Sequence, residues 1–268
     1  MSVRARTLLM LSAVLSVSGC AISRQQEVQL GNDYAQQINA QLPLVSDAAT
    51  NRYITALGQQ IVAATGVRDL TWSFTIVNSK EVNAFAVPGG HVYINRGLIE
   101  RATNMSQVAG VLAHEIAHVT ERHSVDQMQK AQGANVGVAL LCTLTRTCQS
   151  GVGQAAINVG GGAVFARFSR SAETEADAVG VRLAVQAGID PNGFPQMFRI
   201  LLDERQRNPN AVEAFFSTHP LAEDRIGATQ ALIASYRAAE LRGLQRDSNA
   251  FQTFKRRLAG LPAAPAKR

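Results

Sequence analysis

The 268-residue chain contains no uninterrupted apolar run of the roughly 20 residues that a membrane-spanning helix needs. Leu8 to Leu15 stops far short, and the weakly charged stretch from Gly133 to Ala166 is broken by Asn135, Arg146, Gln149, Gln154 and Asn158. Charge is scarce as well. Charged side chains make up 17% and hydrophobic ones 46%, against roughly 25% charged in an average soluble chain. A sizeable core can therefore be buried, and global disorder is excluded. No repeat of solenoid length is present. The body also lacks a basic excess, because eight Lys/Arg against two Asp/Glu lie from Arg237 onward and carry the whole formal charge of +6. A nucleic-acid-binding main domain thus loses its compositional basis, and no nucleic-acid partner is expected. At roughly 150 residues per domain, the length allows one large domain or two small ones.

What is present begins with an export signal: Arg4 and Arg6, the apolar run, then small residues up to Cys20. Val17-Ser18-Gly19-Cys20 looks like a bacterial lipobox, in which the thiol is lipidated and becomes the first mature residue. This reading expects residues 1–19 as leader and a lipid anchor at Cys20 facing the periplasm. Ala21, in place of an acidic residue, points to the outer membrane. Cys142 and Cys148 are then the remaining pair. An oxidising compartment permits a disulfide between them, and Cys-x5-Cys is not a common zinc spacing.

Helical spacing covers Glu27 to Leu42 and Asp47 to Ala64, separated around Pro43. Trp72, Phe74 and Ile76 alternate as in a strand, and Pro88-Gly89-Gly90 between Asn83–Val87 and His91–Ile94 predicts a β-hairpin. A central helix is expected from Ser106 to about Gln129, and a pair of buried or mobile helices between Gly133 and Ala166. Further helices are expected over Ala172–Ala187, Phe194–Gln206 and about Leu221–Leu241. The end, with Pro262 and Pro265, reads as a frayed or disordered basic tail over 242–268.

His114-Glu115-Ile116-Ala117-His118 carries the chemistry. Residues four apart on a helix stack about 5 to 6 Å apart, so both imidazoles can reach one zinc ion. Glu115, rotated by about 100°, addresses the site without being a ligand. A third protein ligand is required if one position is to remain open for water. A metzincin would place Gly and His where Glu121 and Ser124 stand. His123 lies half a turn from His114, on the opposite side of the helix, which makes it a packing or supporting residue. Glu121 sits about 7.5 Å along the axis, awkward for ligation. A ligand from another helix fits better: Glu173 and Asp177 share a face, so one can reach the metal and the other the free ring N–H of a ligand histidine, while Glu175 points away. The plain alternative is that these are acids favouring a helix N-terminus.

His114 to His118, Glu173-Thr174-Glu175-Ala176-Asp177, the hairpin Asn83 to Gly90 and Ser217-Thr218-His219-Pro220 together resemble the CAAX prenyl protease/HtpX family of zinc metallopeptidases. Within it, Glu27 to Gly58 is similar to the periplasmic BepA-like and LoiP-like lipoprotein branch, so the resemblance runs from about residue 25 to 240. It implies a gluzincin with His114, His118 and Glu173 as ligands of one zinc, Glu115 as catalytic base and Asp177 supporting a ligand. It also gives His219 two readings, a removable fourth ligand that holds the enzyme latent or a loop histidine capping the next helix. The membrane helices of the prenyl-protease branch are absent, and the stretch after Leu241 is shorter than one helical repeat of about 34 residues.

The expected fold is α+β, a zincin-like domain over 20–241, mostly helical with a small sheet beside the site. The strand Asn83, Ala84, Phe85 and Ala86 is expected to hold substrate backbone by strand addition. His91 reads as structural, and Arg225 as either an ion-pair partner or a solvated charge. The expected function is zinc-dependent hydrolysis of misfolded or misassembled envelope proteins, with outer-membrane assembly machinery as a partner. The alternative is a lipid-anchored assembly factor with little resting proteolysis.

Overall fold

The computed structural model describes residues 21–131, 167–220 and 223–263. The leader, Cys20, the Cys142 and Cys148 pair and the helices expected from Gly133 to Ala166 lie outside the described residues.

Two capped helices come first. At α1 (Arg24–Gln41) the Ser23 hydroxyl accepts from the Gln26 N–H while the Gln26 side chain accepts from the Ser23 N–H, a reciprocal cap that fixes the start. Asp47 caps α2 (Ala48–Val62) by accepting from the Thr50 N–H. Strands β1 (Ser73–Val77), β2 (Ala84–Val87) and β3 (His91–Asn95) form one sheet with β3 in the middle. Gly89 and Gly90 turn at φ 83° and 100°, a region closed to most side chains, and fold β2 antiparallel onto β3 with Phe85 opposite Tyr93. The first strand joins the other side of β3 in parallel, with Phe74 opposite Val92. The second strand is therefore an edge.

After α3 (Arg96–Arg101) comes α4 (Met105–Thr120), in which every residue from Met105 to Val119 is buried. A helix hidden on all sides needs neighbours on all sides. They are α2, the sheet, α5 (Arg170–Gln186) and α6 (Gly193–Arg207). The α5 helix comes very close: a Cβ on Gly180 would lie 2.7 Å from the Phe194 ring and 3.2 Å from the backbone nitrogen of His114. Only glycine there allows the approach that brings the α5 side chains to α4.

Three expectations need correction. The central helix is not continuous to Gln129, because Arg122 adopts a left-handed φ of 58° and helix resumes only over 123–131. The helix expected over 221–241 is shorter: α7 (Pro209–Thr218), which the pattern did not suggest, precedes α8 (Glu223–Ala234), and extended Arg237 separates that from the short α9 (Ala238–Leu241). The tail is not frayed through 242–263. It forms α10 (Asn249–Ala259), whose Phe251, Phe254 and Leu258 are buried in the main core.

The reason lies in those three residues, which share one helical face that charge and proline content masked. Phe254 stacks on Tyr53 with centroids 4.5 Å apart, and Arg257 pairs with Asp47 at 2.7 Å. Arg96 donates to the carbonyls of Ala259, Leu261 and Pro262. Ser248 caps α10 through the Phe251 N–H at 3.0 Å. Ser248→Ala should therefore cost about 1 kcal/mol and lower Tm by roughly 2 to 4 °C. An unchanged melting curve would mean that α10 stands outside the cooperative unit. No helix among the described residues is long and apolar enough to cross a membrane.

Candidate metal centre

One turn apart on α4, His114 and His118 aim their Nε2 atoms at the same point, 3.0 Å from each other. Glu173, in the first turn of α5, reaches that point from across the helix crossing. Its Oε1 lies 3.3 Å from His118 Nε2 and its Oε2 lies 3.7 Å from His114 Nε2. His219 arrives from the C-cap of α7, with Nδ1 3.0 Å from Glu173 Oε1 and 3.4 Å from His114 Nε2. The four side chains are buried, and one ligand atom of each lies within 4.8 Å of all the others. A tetrahedral ion with metal–nitrogen bonds of about 2.0 to 2.1 Å spaces its ligand atoms roughly 3.3 to 3.4 Å apart. The separations here straddle that value.

The outer partners decide which ring nitrogens carry protons. Asp177, one turn after Glu173, places Oδ1 3.0 Å from His114 Nδ1, a position that favours the ring tautomer with its N–H toward Asp177 and its Nε2 lone pair toward the cluster. Behind His118 stands His123, Nδ1 to Nδ1 at 2.9 Å, and His123 Nε2 faces Glu175 Oε2 at 3.3 Å. The consistent arrangement has His123 protonated on Nε2 and accepting from His118 Nδ1–H. Burial, together with neighbouring His114, holds the His118 ring well below its ordinary pKa. Two bare nitrogens then face one another at 3.0 Å. Their repulsion is removed by a cation between them, and three nitrogens with one carboxylate are a donor set that suits zinc. The residues fit a divalent metal.

The carboxylates are poised differently. Burial opposes ionisation of Glu173 and Asp177, but the histidines, together with Arg225 at Asp177, outweigh it and hold both below the usual range. Glu115 is also buried, and for it burial wins and raises the pKa, even with His219 and His114 pulling the other way. Its Oε1 is 3.5 Å from His219 Nε2, and the backbone of Ala86 on edge strand β2 adds a small lowering influence on its carboxyl. Burial alone would lower the His219 pKa; the Glu115 and Glu173 carboxylates raise it instead.

The expected residues thus converge: His114, Glu115, His118, Glu173, Asp177 and His219 in one cluster, with Ala84 to Ala86 along its flank. The half-turn placement of His123 is corrected, since the break at Arg122 swings its ring onto the far side of His118. Arg225 proves to be a buried clamp, donating to both Asp177 oxygens at 2.7 Å and to Glu173 Oε2 at 2.5 Å. Phe168, stacked on His118 at 3.9 Å, was not foreseen, and no spacing in the sequence announced it. His91 is structural, bonded to Ser73 and Asn32.

Fold and site together define a zincin-like α+β domain with a buried cluster of histidines and a glutamate whose chemistry suits a divalent metal. The sequence profile of peptidase family M48 matches residues 48–233, and the chain belongs to that family. It is 32% identical over 252 residues to the beta-barrel assembly-enhancing protease of Escherichia coli, covering 91% of this chain and 50% of the relative. A protein of the same name from Yersinia pestis is 32% identical over 215 residues, 78% of this chain and 44% of the relative. The mitochondrial metalloendopeptidase OMA1 of Schizosaccharomyces pombe is 30% identical over 177 residues, 66% of this chain and 51% of the relative. The chain spans about half the length of these curated relatives.

Proposed function

We propose that the chain is a zinc-dependent endopeptidase of the bacterial cell envelope, acting on misfolded or misassembled envelope proteins. The observation that carries this reading is the closed tetrad His114, His118, Glu173 and His219 with raised-pKa Glu115 beside it. His114, His118 and Glu173 are the permanent ligands, and Asp177 fixes the His114 ring. A cation held there supplies Lewis acidity, polarising a peptide carbonyl and easing deprotonation of water. Glu115 takes that proton and returns it to the leaving amine. Substrate backbone lies along Asn83 to Ala86 as an added strand, which favours extended, unfolded segments. Supporting the location are the lipobox at Cys20 and the names of the bacterial relatives, which also suggest outer-membrane assembly machinery as a partner.

His219 fills the corner that water needs, so the resting enzyme is latent and His219 must withdraw before turnover. Its contacts favour this over the helix-capping role. The same closure agrees with an assembly factor of low resting proteolysis. The test uses purified protein, metal analysis and casein degradation. One zinc per chain and cleavage abolished by a chelator are expected, and His219→Ala should cleave casein several-fold faster. Metal-free protein that still cleaves would refute the zinc reading, and an unchanged or lower rate in His219→Ala would refute latency.

A further inference from the structure

Arg122 is the sole residue other than glycine with a positive φ among the described residues, at 58°, a conformation that a side chain makes unfavourable. It lies directly after the metal-site helix, where strain tends to be kept for a reason. Its guanidinium holds the turn from outside: Nε donates to Glu27 Oε2 at 2.8 Å and Nη2 to the Ile22 carbonyl at 2.6 Å. Glu27 is 1% exposed and is gripped a second time by Arg24, itself paired with Asp69 at 3.0 Å. The next residue after the turn is His123, whose ring contacts the far nitrogen of His118. On a continuous helix five residues put the two rings about 140° apart. Their contact exists because the helix breaks.

We propose that Glu27 and Arg122 form a strut by which the N-terminal segment holds the left-handed turn, and through it His123, against His118. These are positioning residues that act through His118. The strut gives His118 its proton partner and ring orientation, so docking of α1 governs how firmly the site retains its metal. The proposal rests on the reading of His118 as a ligand.

The experiment measures zinc dissociation from the full chain by competition with a chromophoric chelator, and the visible spectrum of the cobalt-substituted protein. His123→Ala should weaken zinc about 10- to 100-fold and alter the cobalt bands, the usual effect of removing a partner behind a ligand histidine. Arg122→Ala should act in the same direction. Arg122→Gly should stay near the parent, because glycine takes the turn without a strut. Glu27→Gln should weaken zinc, and adding Arg122→Gly should restore it, a rescue that mere packing would not give. If Glu27→Gln fails to fold, the Ala and Gly variants at 122 decide alone.

Zinc affinity within twofold of the parent in His123→Ala, or equal losses in Arg122→Gly and Arg122→Ala, would overturn the strut. His118→Ala serves as the control. Full metal retention there would sink the ligand reading itself, whereas loss there with no change in His123→Ala sinks the strut alone.

Discussion

Glu115→Gln is expected to lower peptide cleavage by about 10²- to 10⁴-fold, the range contributed by a positioned general base, with bound zinc and Tm unchanged. Glutamine has the same shape and keeps its place beside Ala86, but its amide does not accept a proton at neutral pH. The carboxylate is not among the four clustered ligand side chains, and its Oε1 lies 3.5 Å from His219 Nε2. Burial raises its pKa above the ordinary carboxylate value, the direction that a base working near neutrality requires. On the latency reading of His219, the comparison is clearest in the His219→Ala background, where a faster reference rate is expected. Cleavage that survives the change would remove Glu115 from the mechanism. Zinc lost with it would instead make Glu115 a ligand. If casein cleavage disappears while envelope function persists intact, the assembly-factor reading prevails.

The pairing of side chains on each site helix was legible because helical geometry is local. Four-residue spacing puts His114 over His118 and Glu173 over Asp177 whatever surrounds them. The hairpin was legible for the same reason, since Pro88, Gly89 and Gly90 leave the backbone little else to do. What escaped depends on contacts remote in sequence. Arg225 becomes a clamp only once α8 packs on α5, and nothing in the spacing from His219 distinguishes it from a solvated charge. The break at Arg122 was hidden because its stabilisation comes from Glu27, 95 residues earlier. Helical periodicity assumed straight through it put His123 on the wrong side. The C-terminal helix failed differently. Its three apolar residues were visible, but nearby prolines and basic charge outweighed them, and the partners that give the face its value, Tyr53 and Arg96, lie far back in the chain.

Arg225→Met is expected to destabilise the metal-free protein by about 3 to 5 kcal/mol, the usual cost of removing one partner from a buried ion pair. In a chain of this size that is a fall in Tm of roughly 6 to 20 °C. The guanidinium faces two carboxylates, of which Glu173 is 0% and Asp177 6% exposed. Its fork is matched to Asp177 by two bonds of 2.7 Å, and it also accepts a place 4.8 Å above the Phe198 ring. Methionine fills much of the volume and leaves both anions without that cation. Zinc changes the balance at one of them, because Glu173 then has the metal as a neighbour while Asp177 keeps only the His114 ring. The variant should therefore gain more Tm from added zinc than the parent does, and still remain below it. Arg225→Lys restores the charge without the fork and should fall between the two. Thermal unfolding followed by circular dichroism, with and without zinc, measures all of these. A methionine variant that melts within about 2 °C of the parent in both states would show that Arg225 is dispensable, and the two carboxylates would then need another source of compensation.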